Sequence, residues 1–218
     1  CSVRQYVFDD INRQQSFKFF AGSLSSNSEV WWYYCSAGSN EIDRYVIFNY
    51  LEQTWYYGSL VRTAWMDRSS GSRLYPQSPG TDGVLYNHEF GLDDGSQTPA
   101  VAINAFVQSS DFDIGDGQQF MLINRILPDL NFGQSTATAP EVKFTMGARN
   151  FSGSVAGQGT ASGDVTRTSV VSGDDNYTNQ LHMRLRGRQM NLKIESDTTG
   201  VKWRLGAPRL DMRPDGRR

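Results

Sequence analysis

The residues on which catalysis or metal binding could rest are two histidines, two cysteines and several clustered carboxylates. His88 stands alone in LYNHEF, and His182 sits between Leu181 and Met183 on the polar side of an alternating run. Neither has a second imidazole or a thiolate at ligand spacing, so a zinc centre is not indicated. Cys1 and Cys35 could form one bridge but no disulfide framework. The chain has no nucleophile elbow, no P-loop and no dinucleotide glycine fingerprint. A Ser-His-Asp triad meets only in space, and nothing here singles one out.

Asp111, Asp113 and Asp116 in DFDIGDG bring three carboxylates into one tight turn, the arrangement a calcium ion wants. The spacing departs from that of a calcium loop and the bidentate Glu is missing. The plainer reading is a turn whose Asp side chains cap backbone amides while its glycines take positive φ. Glu89, Asp93 and Asp94 could be fitted to a glycosidase pair, but nothing selects them over other turn acids. The aromatic groups Trp31–Tyr34 and Trp55–Tyr57 could stack sugars or bases. In an alternating strand half of them must face a core, so packing is the first reading. No catalytic, cofactor or metal site is expected.

The strongest chemical signal is charge. Residues 181–218 hold ten basic and four acidic side chains, net +6, which leaves −8 for residues 1–180 in a chain of net −2. The basic residues Arg184, Arg186, Arg188, Lys193, Lys202 and Arg204 occupy polar positions of alternating strands or the turn between them. They read as a solvated sheet face, as a contact to acidic surface on a neighbouring subunit, or as a phosphate-facing surface. Arginine in place of lysine favours bidentate contact to carboxylate or phosphate, and the subunit contact leads.

The elements that must position these groups are strands. With 218 residues and 5 Trp, 10 Tyr and 12 Phe, the chain can bury a sizeable core, and its 21 Gly signal many turns. No apolar run reaches the roughly 18 residues of a membrane helix. The acidic balance argues against a protein that coats nucleic acid. A chain opening on Cys1 reads as part or product of a longer protein.

Residues 4–20 are the one stretch that could be helical, with Tyr6, Val7 and Ile11 on one face. Residues 29–35, 44–50 and 55–60 then read as an aromatic β-meander of the propeller-blade kind. Ser69–Gly83 is a loop, 84–90 and 100–109 are short strands, and 118–127 is a buried strand ended by Pro128. Val142, Phe144 and Met146 share a face. So do Leu181, Met183 and Leu185, then Met190, Leu192 and Ile194, then Val201, Trp203 and Leu205. Turns at 186–188 and 197–200 would join the last three runs into one antiparallel sheet. The expectation is an all-β chain: a blade-like region over 1–68, a loop-rich β region over 69–128, and a sandwich-like antiparallel domain with a basic face over 129–218.

Several stretches resemble tail proteins of short-tailed bacteriophages, of the hub or nozzle type. They are YVFDDINRQQSFK, EVWWYYCSAGSNEIDRYVIFNYLEQTWYYGSL over 29–60, LYNHEFGLDDG, SSDFDIGDGQQFMLINRILPDL, and RLRGRQMNLKIESDTTGVKWRLGAPRLDMRPDGRR over 184–218. The resemblance implies a virion structural protein located in the tail, with no catalytic residues and no cofactor. It implies rings, typically of six copies, that extend the portal and retain or conduct double-stranded DNA. Partners would be other copies, the portal or adaptor, and further tail proteins. The competing readings are a receptor- or glycan-binding adhesin and, behind it, a polysaccharide-cleaving enzyme.

Overall fold

A computed structural model describes residues 2–69, 71, 74–151, 165–172 and 180–217. Cys1, and with it the possible bridge to Cys35, lies outside the described residues, as does most of the Gly/Ser/Thr-rich stretch of 152–172. Cys35 itself is a buried free thiol. The chain divides into two compact units, Cys1–Phe90 and Gly91–Arg218, so the boundary falls inside the loop-rich stretch expected over 69–128. Strands dominate both units and their pairings are antiparallel, the all-β class that the sequence predicts. No helix among the described residues is long and apolar enough to cross a membrane.

In the first unit, helix α1 (Ser2–Asp9) is shorter than the expected 4–20. Ile11 leaves the helix to bridge Ser36, and Asn12 ties that exit down. The Asn12 amide donates to the Cys35 carbonyl, while its side chain donates to the Ser39 carbonyl and accepts from the Gln14 amide. A 3-10 segment, Arg13–Lys18, follows. Then β1 (Phe20–Leu24), β2 (Glu29–Tyr34), β3 (Arg44–Asn49) and β4 (Thr54–Ser59) pair in order as a meander. The described residues hold one such blade-like sheet and no ring of blades.

Register divides the aromatics between its two faces. Phe20, Tyr33 and Tyr45 lie across from one another on one face, with Trp31 beside them. The Trp65 ring stacks on Trp31 and closes that core. Gly22 makes room for it: a Cβ there would sit 2.3 Å from the Trp65 ring. The other face carries Trp32, Val46, Phe48, Trp55 and Tyr57. A hairpin of β5 (Gln77–Pro79) and β6 (Leu85–Asn87) completes the unit.

The second unit begins with β7 (Asp93–Asp94), β8 (Val101–Ala102) and β9 (Ala105–Gln108). Next come β10 (Met121–Leu127), β11 (Leu130–Asn131), β12 (Glu141–Arg149) and β13 (Val165–Ser172). It ends with β14 (Leu181–Gly187), β15 (Gln189–Ser196), β16 (Arg204–Leu205) and β17 (Arg209–Pro214). Two sheets, β13-β12-β15-β9 and β14-β10-β17, enclose one core. Val142, Phe144, Met146, Met190, Leu192 and Ile194 meet Met121, Ile123, Ile126, Leu181, Met183 and Leu185 there. Every run of alternating apolar residues predicted for these strands is buried, because period 2 puts each set on the inner pleat.

Two expectations are corrected. The residues on either side of Arg188 do not form a hairpin: β14 and β15 belong to different sheets, and the chain crosses between them at Gly187–Arg188. The Arg188 amide donates to the Arg149 carbonyl at the end of β12, which holds this corner. Residues 201–205 do not form a full strand either. The amides of Thr136 and Ala137 take the Gly200 carbonyl, and Ser135 Oγ takes both the amide and the carbonyl of Lys202. With those backbone groups captured by a loop, a ladder is left only at Arg204–Leu205 against β11.

Candidate functional site

The predicted basic residues do not share one face. Arg184 and Arg186 project from β14 on the outer side of the three-stranded sheet. Lys193 lies on β15 in the other sheet, bonded to Glu195 and over the Phe106 ring. Lys202 reaches Gln134, and Arg204 pairs with Asn131 in the small β11/β16 ladder. Arg188 stands at the corner, its guanidinium 4.9 Å from the Phe120 ring centre. The single sheet bearing all six is therefore replaced by a smaller face and scattered partners. The cause is the change of sheet between β14 and β15.

That smaller face gains three arginines that sequence reasoning missed. Leu122 on β10 has Arg186 on one side and Arg213 on the other. Arg125 lies between His182 and Asp211, and Arg209 is opposite Leu127. The β14-β10-β17 face thus exposes Arg125, Arg184, Arg186, Arg209 and Arg213, in rows about 7 Å apart along the strands. A bulge at Asn124, where the β10 register shifts, turns Arg125 outward. The signal for β17 was present, since Leu210 and Met212 alternate with Arg209, Asp211 and Arg213. Arg125 was hidden inside what read as an apolar run.

Internal partners fix part of this face. Arg186 Nε donates to Asp215 at 2.6 Å and its guanidinium lies 3.9 Å from the Phe120 ring centre. Phe120 is pinned in turn, because its amide donates to the Gly216 carbonyl and its carbonyl accepts from the Asp215 amide. Arg125 pairs with Asp211 at 3.1 Å, and Arg213 faces the Asn124 side chain. Arg184 and Arg209 make no ion pair with any described residue. The face therefore presents fixed planar donors with positive charge left over, suited to bidentate contact with carboxylate or phosphate.

The other candidates resolve into structural roles. Asp111 pairs with Arg149 and accepts from Asn191 at 3.0 Å, Asp116 caps the Gln118 amide, and Gly115 and Gly117 take positive φ. The Asp113 carboxylate lies against Gly117, where an added Cβ would come within 2.9 Å of it. No group of three His, Cys, Asp or Glu that could hold a metal occurs among the described residues. Asp93 accepts from the Gly200 amide and Asp94 from the Ser96 amide, while Glu89 lies in the other unit at positive φ. Of the aromatics, Trp31 and Tyr33 are core, whereas Trp32, Trp55 and Tyr57 are partly exposed.

His88 does meet a serine. Its Nε2 accepts from Ser78 Oγ and from Arg62 Nε at 3.3 Å, and its ring packs on Trp65 at 4.8 Å. Ser78 is fully buried, so no substrate reaches it and the pair acts as a brace. Burial first, then the Arg62 charge, pushes the His88 pKa down to about 4. The neutral ring is the folded form. Stability is therefore full above the unfolded value of 6.5 and falls as pH drops from there toward 4. Allowing for screening of a partly exposed ring, the loss is about 2 kcal/mol. Urea titrations between pH 7 and 4 should show this slope, and His88→Gln should flatten it relative to the parent. Equal slopes would contradict the assignment.

Neither a known protein-family profile nor a curated protein sequence matches the chain.

Proposed function

We propose that this chain is a structural subunit of a bacteriophage tail, of the hub or nozzle type, that assembles into a ring through its arginine face. The observation that carries the reading is the outer β14-β10-β17 face, with five arginines against Asp211 and the flanking Asp215. The rest of the chain supplies the complement, since residues 1–180 carry net −8. A basic patch and an acidic remainder on one subunit suit heterologous contacts, which close into a ring when the rotation permits. The same asymmetry suits a DNA conduit. Acidic walls repel phosphate and let a duplex slide, whereas a lining of free arginines would hold it by counterion exchange.

Charge reversal at Arg184 and Arg213 tests the contact, because both are exposed and neither holds the core. The double variant Arg184→Glu, Arg213→Glu should keep its circular dichroism spectrum and sediment as free subunits where the parent sediments as a ring. Ring mass unchanged in the double variant would rule out the arginine face as the docking surface.

A further inference from the structure

Helix α1 and the outer face of the β1–β4 sheet enclose a cleft of about 550 Å3 in the first unit. Val3 and Val7 of α1, with Ile11 just past its end, form one wall, and Trp32, Val46 and Trp55 form the other. The size is that of a small-molecule site. Its walls are almost wholly apolar, so the hydroxyls of a sugar would be left without partners.

The charge on the lining is positive. Arg4 is the one charged residue there, exposed, with no hydrogen bond or ion pair to any described residue. The Tyr33 ring turns to the other face of the sheet, against Tyr45 and Trp65, and the Tyr34 hydroxyl is set against Tyr6, so Arg4 is the charged donor open to an occupant. No acidic side chain lines the cleft. An occupant that satisfies this lining is apolar over most of its length and negative at one end.

We propose that the cleft binds a single aliphatic chain with an anionic head, the head on Arg4 and the chain between α1 and the Trp32–Trp55 pair. The chemistry is shared by a free fatty acid and by an acyl chain of an anionic lipid. This inference is independent of ring assembly, since it rests on the opposite unit of the chain from the arginine face.

Bromine quenching of tryptophan tests it on the full chain. Trp32 and Trp55 line the cleft, whereas Trp31 and Trp65 stack on the other face of the sheet and Trp203 belongs to the second unit. Titration with 12-bromododecanoate should quench part of the emission and saturate. Arg4→Glu should weaken that affinity about tenfold, the scale of one charge-assisted contact, and leave dodecanol binding unchanged. Ala21→Phe, at an exposed position on the cleft wall, should abolish both.

Vesicles of phosphatidylglycerol with brominated acyl chains separate the sources. Quenching by the free acid alone assigns a soluble fatty acid, and quenching by vesicles with the same sensitivity to both variants assigns a bilayer lipid. No saturable quenching from either source overturns the proposal, and so does quenching that neither variant alters, which would be adsorption to exposed aromatics.

Discussion

Replacing Gly187 with valine should destabilise the second unit by about 3 kcal/mol, at the upper end of overpacking effects. Gly187 is the last residue of β14, where the chain leaves one sheet for the other. It is buried, and a Cβ there would lie 2.9 Å from the Ala148 Cβ and 3.2 Å from both the amide nitrogen and the carbonyl oxygen of Arg149. Two of those three atoms are backbone of β12, held in ladders with β13 and β15, so they cannot swing aside as a flexible side chain would. Relief must come from moving the corner, which also carries Arg186 and Arg188. Gly187→Ala should cost about half as much. Chemical denaturation should show a lower midpoint with an unchanged slope, and hydrogen exchange should place the loss in β12, β14 and β15. A valine variant within 0.5 kcal/mol of the parent would contradict the close crossing.

Phe144→Ala should cost about 4 kcal/mol, within the range for deleting a buried phenylalanine. Phe144 is fully buried near the middle of β12, facing Ile194 across the ladder and enclosed by the core between the two sheets. Strands on both sides keep the hole from collapsing. Phe144→Leu, which keeps most of the volume, should cost about 1–1.5 kcal/mol. The alanine variant should melt roughly 12 °C lower, given about 3 °C per kcal/mol for a unit of this size. A loss under 1 kcal/mol would mean that Phe144 does not bridge the two sheets.

The sequence made the faces legible and left the partners illegible. Alternation placed Phe144, Leu185 and Ile194 inside because strand geometry has a period of two whatever lies alongside. Which strand lies alongside depends on chain crossings, and a short Arg–Gly–Arg link looks the same in a hairpin as at a corner. The same ambiguity enters the candidate site, because alternation alone groups Lys193 with Arg184 although their strands belong to different sheets. Arg125 could not be joined to them, since β10 lies 55 residues or more before its partner β14. The helical spacing over 4–20 takes in Phe20, the first residue of β1, and nothing local shows that α1 stops at Asp9 or that Asn12 caps a separate 3-10 turn. The turn reading of DFDIGDG was legible because its Asp and Gly positions act within a few residues of themselves. Local chemistry could be read from neighbours in the chain, and the arginine face could not, because it is assembled from three distant strands.

Electron microscopy of the purified protein at low ionic strength tests the proposed ring most directly. Class averages should show closed rings of identical copies, six by the resemblance, which disperse in high salt and in the Arg184→Glu, Arg213→Glu variant. Single subunits or open chains in every condition would contradict it.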